Sequence, residues 1–167
     1  MRSPPDSIRK FISYDPETGV FRWIISPNGQ TKVGQIAGTI SATGYRRIKF
    51  SRERYSAGPL AWWFVYGEWP QTQIDHQDRD RDNNKINNLR CATGSQNMQN
   101  GVARQHNNSG FKGVYFHKHK AKWCATIGVN YRHIFLGYYD KPEDAASAYD
   151  TAARELFGEF SRINVLC

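Results

Sequence analysis

The sequence predicts an α+β protein made of two modules, and three observations carry that expectation. Residues 19–56 alternate short β-prone runs with Gly, Asn and Ser turns; residues 111–139 repeat that texture; and an apolar or amphipathic helical pattern follows each set of strands. A chain of 167 residues, 39% hydrophobic and 14% aromatic, suffices for one ordinary domain or two small ones with real cores.

In the first half the β-prone runs are "GVFRWII", "GQIAGTI", "YRRIKF" and "ERYSA", divided by turns such as "SPNGQ" and "SATGY". "GPLAWWFVYGEWP" then reads as a short buried helix carrying Trp62 and Trp63, with Pro59 in its first turn and Gly67 and Pro70 ending it. "QTQIDHQ" alternates like a strand, "RDNNKINNL" reads as a turn-rich loop, and a second helix is expected to start near Thr93 to Ser95. Residues 101–108 lack large apolar side chains beyond a lone valine and serve as a linker. Three β runs follow within 111–139. Residues 140–157 form the clearest helix, with Asp140 and Glu143 at capping-box spacing, Pro142 in the first turn and Gly158 after the end. Its apolar stripe is Ala145, Tyr149, Ala152, Ala153 and Leu156.

Twenty-three Lys and Arg against fifteen Asp and Glu give a formal charge of +8, which suits a polyanionic partner and equally describes a merely basic protein. Cys91, Cys124 and Cys167 form no CxxC pair, so neither a disulfide framework nor zinc-finger spacing is present. No run approaches the roughly 20 apolar residues of a membrane span, and the first residues have no signal-peptide pattern. The expectation is a cytoplasmic protein with no membrane partner.

From Ser109 to Tyr139 there is no Asp or Glu, whereas Lys112, Lys118, Lys120, Lys122 and Arg132 lie there with three histidines. If the helix covers one sheet face, strand alternation points Trp123, Ala125, Ile127 and Val129 toward it, together with Ile134, Leu136 and Tyr138. Lys122, Cys124, Thr126, Gly128, His133 and Phe135 then face outward, as a DNA-reading surface or as a solvated polar face. "FKGVYFHKHKAKWCATIGVNYRHIFLGYYDKPEDAASAYDTAARELFGEFSRIN" resembles the DNA-binding domain of plant ethylene-response factors, the APETALA type, through "KGV", "KW.A.I", "LG.Y", "AA.AYD.AA" and "G.F.R.N". The resemblance implies a sheet docked in the major groove of double-stranded DNA. The matching positions are Lys112, Tyr115, His117, Lys122, Thr126, His133 and Phe135, and Lys118, Lys120 and Arg132 add charge. Several positions that hold Arg or Trp in the plant domains are Tyr115, His117, Gly128, His133 and Phe135, so the plant target sequence does not carry over.

The pair Asp75-His76, followed by an Asn-rich stretch, admits two readings. A carboxylate and an amide oxygen can hold a hard cation beside a proton-accepting imidazole, or the residues can make a hydrogen-bonded turn. Asp78, Asp80 and Asp82 alternate with Arg79 and Arg81 and read as a solvated charged loop. "IDHQDRDRDNNKINNLRCATGSQNMQN" resembles the HNH homing-endonuclease motif of phage type, in its His-Asn-Asn variant: Asp-His on a first strand, "NNL" after a loop and "SQN" on a helix. Upstream "YDPETGVFRW", "GYRRIKF" and "LAWWFVYGEWP" resemble the same family, except that Gly58-Pro59 stand where its members commonly carry His-Arg.

That resemblance implies a ββα-metal fold in which His76 is the general base and Asn88 positions the histidine and the loop. Asp75 and Asn97 would ligate one Mg²⁺ or Mn²⁺. The expected organisation is an HNH nuclease at 1–100 with its N-terminal β region, a linker at 101–108, and a sheet-on-helix DNA-binding domain at 109–167. The function implied is a metal-dependent DNA endonuclease, monomeric and encoded by a phage or mobile element in a bacterial cell. The alternative is a DNA-binding regulator with an inactive nuclease scaffold.

Overall fold

The computed structural model describes residues 3–27, 29–100, 107–130 and 132–164, the side chains of 98 and 99 excepted. The chain forms two compact units, Met1–Ala92 and Thr93–Cys167. Most of the expected linker, residues 101–106, lies outside the described residues. The architecture is α+β, with several small antiparallel sheets and few helices. No helix among the described residues is long and apolar enough to cross a membrane.

In the first unit a 3-10 turn at Asp6–Lys10 leads into the hairpin β1 (Ile12–Asp15) and β2 (Val20–Trp23). The β-prone reading began at residue 19 and missed β1, whose four residues carry too short an alternation to stand out. Next come β3 (Thr39–Ile40), β4 (Arg46–Phe50) and β5 (Glu53–Ser56), a three-stranded sheet in that order. "GQIAGTI" contributes only the two residues of β3, because Gly38 sits at φ +85 with the Arg47 carbonyl against it and confines the pairing.

Helix α1 (Ala57–Tyr66) buries Leu60, Ala61 and Trp63, while Trp62 is half-buried and stacks near Tyr66 with ring centroids 4.4 Å apart. Gly67 ends it in the left-handed conformation, donating to the Trp63 carbonyl at 3.0 Å as expected. The Arg9 guanidinium caps the same end: it donates to the Trp63 carbonyl at 2.9 Å and the Phe64 carbonyl at 3.2 Å, and lies 4.2 Å from the Trp63 ring. The unit closes with the antiparallel pair β6 (Gln73–His76) and β7 (Leu89–Ala92), whose Ile74 and Leu89 join the core of Ile12, Phe21, Ile48 and Leu60.

The second unit opens on the short helix α2 (Gly94–Gln99), where Thr93 and Gln96 form a reciprocal capping box: Gln96 N–H to Thr93 Oγ1 at 3.2 Å and Thr93 N–H to Gln96 Oε1 at 2.8 Å. Strands β8 (Val114–His117), β9 (Lys122–Val129) and β10 (Arg132–Tyr139) form an antiparallel sheet with β9 in the centre, and helix α3 (Pro142–Phe157) packs against it. Ala125 and Ile127 meet Ala145, Ala146, Tyr149 and Ala153 in its cores.

Four expectations change here. The capping box at α3 does not form: the N-cap is Lys141, without a side-chain bond, and Asp140 instead meets Lys122 Nζ at 3.0 Å. Leu156 lies outside the stripe and is exposed, while Ala146 and Asp150 are buried. A β-bulge between Phe135 and Gly137 shifts the register, so Tyr138 pairs with Cys124 on the outer face and Tyr139 takes the inward place. Ile134 pairs with Ile127 on the helix side, yet stays exposed at the far end of the sheet.

The Asp150 carboxylate, 4% exposed, accepts the Asn164 backbone N–H at 2.7 Å and its side-chain amide at 3.0 Å. Asn164 Oδ1 in turn accepts the Lys112 N–H at 2.7 Å. This latch gives physical content to the "AYD" and "R.N" elements: they tie the chain after α3 to the entry of β8.

Candidate functional site

Antiparallel pairing sets Asp75 opposite Arg90 and His76 opposite Leu89. Both members of the Asp-His pair are buried, 4% and 5% exposed. Arg90 donates from Nε (3.0 Å) and Nη2 (2.9 Å) to Asp75 Oδ2, so the buried carboxylate has a guanidinium counter-charge across the ladder.

The β6–β7 connection is an ordered loop, and this corrects the solvated-loop expectation for its acids. Asp78 and Asp80 are exposed, yet both organise backbone: Asp78 Oδ1 accepts the Asp80 N–H at 2.9 Å and Asp80 Oδ1 accepts the Asp82 N–H at 3.0 Å. Asp82 makes a two-pronged bond with Arg46 of β4, at 2.8 and 2.7 Å. Asn83 donates to the second oxygen of Asp78. Burial raises the Asp78 carboxyl, but the bonds from Asn83, Asn88 and the Asp80 N–H outweigh it, with a smaller contribution from His76, and hold it below the ordinary 3.8.

Asn88 is 9% exposed and fastens both ends of this loop. Its amide donates to Asp78 Oδ1 (2.9 Å) and the Asn83 carbonyl (2.8 Å), its Oδ1 accepts the Asp78 N–H at 3.0 Å, and its carbonyl accepts the Gln77 N–H at 2.9 Å. The residue at the His76 ring is Asn84, 1% exposed, whose Oδ1 lies 3.2 Å from His76 Nε2. Sequence reasoning did not single it out, although it stands in the quoted "DNNK"; its neighbours look alike, and only the tertiary structure tells them apart.

Three further contacts seat Asn84. Its Nδ2 donates to the Asp82 carbonyl at 2.9 Å, and its own carbonyl accepts the Tyr14 hydroxyl at 2.7 Å. Burial first, and then the nearby Asp15 and Tyr66, push that hydroxyl well above the usual tyrosine range. The β1–β2 turn presses on the same backbone: Ile86 N–H donates to the Pro16 carbonyl at 3.1 Å, and Gly19, at φ +73, lies where any Cβ would strike Asn84 and Lys85. The upstream "YDPETG" is therefore a clamp on the His76 loop. The other side of His76 faces Tyr45 (centroids 5.9 Å apart) and Gly58, where a Cβ would stand 3.4 Å from the imidazole Cε1.

Asn97 lies on α2, in the second unit, with its N–H bonded to the Thr93 carbonyl at 2.9 Å; its assignment as a ligand rests on the motif. Among the described residues no group of three His, Cys, Asp or Glu side chains forms a metal cage. One carboxylate with an amide oxygen is a donor set for a hard divalent ion that keeps most of its waters, as Mg²⁺ and Mn²⁺ do, and not for tetrahedral zinc.

On the second unit, residues opposite one another across the ladders share a face. The outer face carries Tyr115, His117, Lys122, Thr126, His133, Phe135 and Tyr138. Cys124, expected outward, is on that face but only 1% exposed, covered by its cross-strand partners Tyr115 and Tyr138. The hydrogen bond with the Cys124 thiol, and then burial, raise the Tyr115 hydroxyl. Lys118 and Lys120 occupy the 3-10 turn between β8 and β9, Arg132 opens β10, and Lys112 sits at the Asn164 latch.

Residues 59–99 match the family model described as HNH endonuclease. Over 52 residues, 30% of this chain, it is 42% identical to the ethylene-responsive transcription factor WRI1 of Arabidopsis thaliana, and it spans only 12% of that protein's length. Protein 3.8 of Escherichia phage T7 is 34% identical over 89 residues, 53% of this chain and 73% of the phage protein. With this coverage of the phage protein, and the matched segment enclosing the Asp75-His76 hairpin, the chain belongs to the family of phage protein 3.8 and carries a domain of the HNH endonuclease family.

Proposed function

We propose that the protein is a metal-dependent DNA endonuclease of the homing type, which hydrolyses a phosphodiester bond at a site where its C-terminal sheet docks on double-stranded DNA. The observation that carries this reading is the buried Asp75-His76 pair, each member held by its own partner, Arg90 and Asn84, inside the segment that matches the HNH endonuclease model. A structural turn needs neither a buried imidazole nor a buried ion pair.

Asp75 and the Asn97 amide oxygen would hold one Mg²⁺ or Mn²⁺. Such an ion supplies electrostatic stabilisation of the charge that develops on the scissile phosphate. Arg90 keeps the Asp75 carboxylate ionised and oriented. Because Asn84 Nδ2 is committed to the Asp82 carbonyl, its Oδ1 faces His76 and can only accept. His76 then carries its proton on Nε2 and its lone pair on Nδ1, the nitrogen that takes a proton from the attacking water. Asn88 acts on the loop that carries Asn84. The site of action is the cytoplasm of a bacterial cell.

Supercoiled plasmid bearing candidate target DNA, incubated with Mg²⁺, Mn²⁺ or EDTA, tests this reading with the parent protein and His76→Ala. Metal-dependent nicked or linear product, lost in the variant while DNA affinity is kept, is the expected result. Binding without cleavage in either metal would favour the regulator reading.

A further inference from the structure

We propose that the outer face of the β8–β9–β10 sheet binds unpaired bases of single-stranded DNA by stacking. This rests on the reading that the chain acts on DNA, and it names the form of DNA this surface takes. The bulge between Phe135 and Gly137 is the starting point. In a regular strand Phe135 and Tyr138 would point to opposite faces; the register shift puts both on the outer one, with ring centroids 4.9 Å apart. His117 continues the line edge-on to Tyr138, at 5.3 Å. Across β9, Tyr115 stands on β8.

Three aromatic side chains are thus left in water on one face: Tyr115 at 47%, Phe135 at 55% and Tyr138 at 40% exposure. Between them the central strand presents only Cys124, Thr126 and Gly128, so the floor is low and the walls are rings. A flat base fits such a trough. Charge complements a nucleic-acid backbone along it: Lys118, Lys120 and Lys122 lie toward one end, Arg132 and His133 toward the other, and residues 109–139 contain no acid.

The form of DNA follows from what these groups can contact. A duplex shows base edges in its grooves and hides its π-faces in the stack, and edges are read by guanidinium and amide forks. Apart from Arg132 at the strand end, this face offers rings, Lys, His and Thr instead. Exposed rings match bases whose faces are open, and stacking of this kind tolerates sequence.

The test is binding of the full chain to a fluorescent thymidine oligonucleotide, to a duplex of equal length and to a uridine RNA oligonucleotide, at matched salt. The single strand of DNA should bind tightest, by about tenfold or more over the duplex. Phe135→Ala and Tyr138→Ala should each weaken it about 5- to 100-fold with little change in salt dependence. Phe135→Trp should retain binding, and circular dichroism with thermal melting checks that each variant folds. A preference for duplex, a preference for RNA, or alanine variants that fold and bind like the parent would overturn the proposal. Plasmid cleavage is read separately: a chain that stacks but never cuts removes the nuclease reading alone, and one that cuts but ignores the single strand removes this one alone.

Discussion

Replacing Asn84 with leucine removes one hydrogen-bonding amide while nearly preserving volume, which makes its cost calculable from the local geometry. Asn84 is 1% and His76 5% exposed, so water cannot substitute for the lost Oδ1 acceptor 3.2 Å from Nε2. The Asp82 carbonyl keeps a partner, because the Asn84 backbone N–H also donates to it at 3.0 Å. One buried imidazole N–H is then unsatisfied, a penalty of about 1–3 kcal/mol. The ring is also freed to exchange tautomers and rotate, and at about 1.4 kcal/mol per tenfold in rate the same range implies a kcat lower by roughly 5- to 150-fold. Affinity for DNA should not move. Urea denaturation reads the stability, initial rates of plasmid nicking read kcat, and ¹⁵N shifts of the His76 ring report which nitrogen is protonated. Asn84→Asp, which retains an acceptor oxygen, should restore the parent tautomer. Asn84→Leu that loses stability but nicks at the parent rate, or a parent spectrum with the proton on Nδ1, would refute the positioning argument.

Two other outcomes follow from the structure. Gly113 occupies φ +77 with the Tyr149 ring and the Thr126 carbonyl where a Cβ would be built, so Gly113→Ala combines left-handed strain with overpacking and should destabilise the second unit by about 2–4 kcal/mol in a thermal melt; an unchanged melting temperature would contradict the close packing. The Asp78 carboxyl is held below its ordinary 3.8, so its contribution is present above that value and is lost as pH falls through the lower folded value. Asp78→Asn should cost at most about 1 kcal/mol at neutral pH, since the group is exposed and screened, and the difference from the parent should shrink in urea titrations near pH 3; a constant difference would remove the ionic explanation.

Local chemistry made much of this protein legible in its sequence. Pro59 and Gly67 delimit α1 because each constrains its own backbone torsion, and the spacing of Ala145, Tyr149 and Ala153 selects one helix face whatever lies opposite. The acid-free stretch from 109 to 139, and the Asp-His pair ahead of an Asn-rich loop, are likewise visible in one pass along the chain. What the sequence left open were choices decided by partners far away in it. Asn84 is distinguished from Asn83 by a tyrosine seventy positions upstream and by a glycine turn beside it. Asp140 gives up a local cap for Lys122, and Tyr138 changes face because one extra residue enters the β10 ladder. Cys124 is buried on an outward face because its neighbours across the strands are tyrosines. Torsional preference and periodicity act over a few residues and are written in them. Register, burial and hydrogen-bond pairing compare alternatives across the whole chain, and only the assembled structure fixes which of them is lowest in free energy.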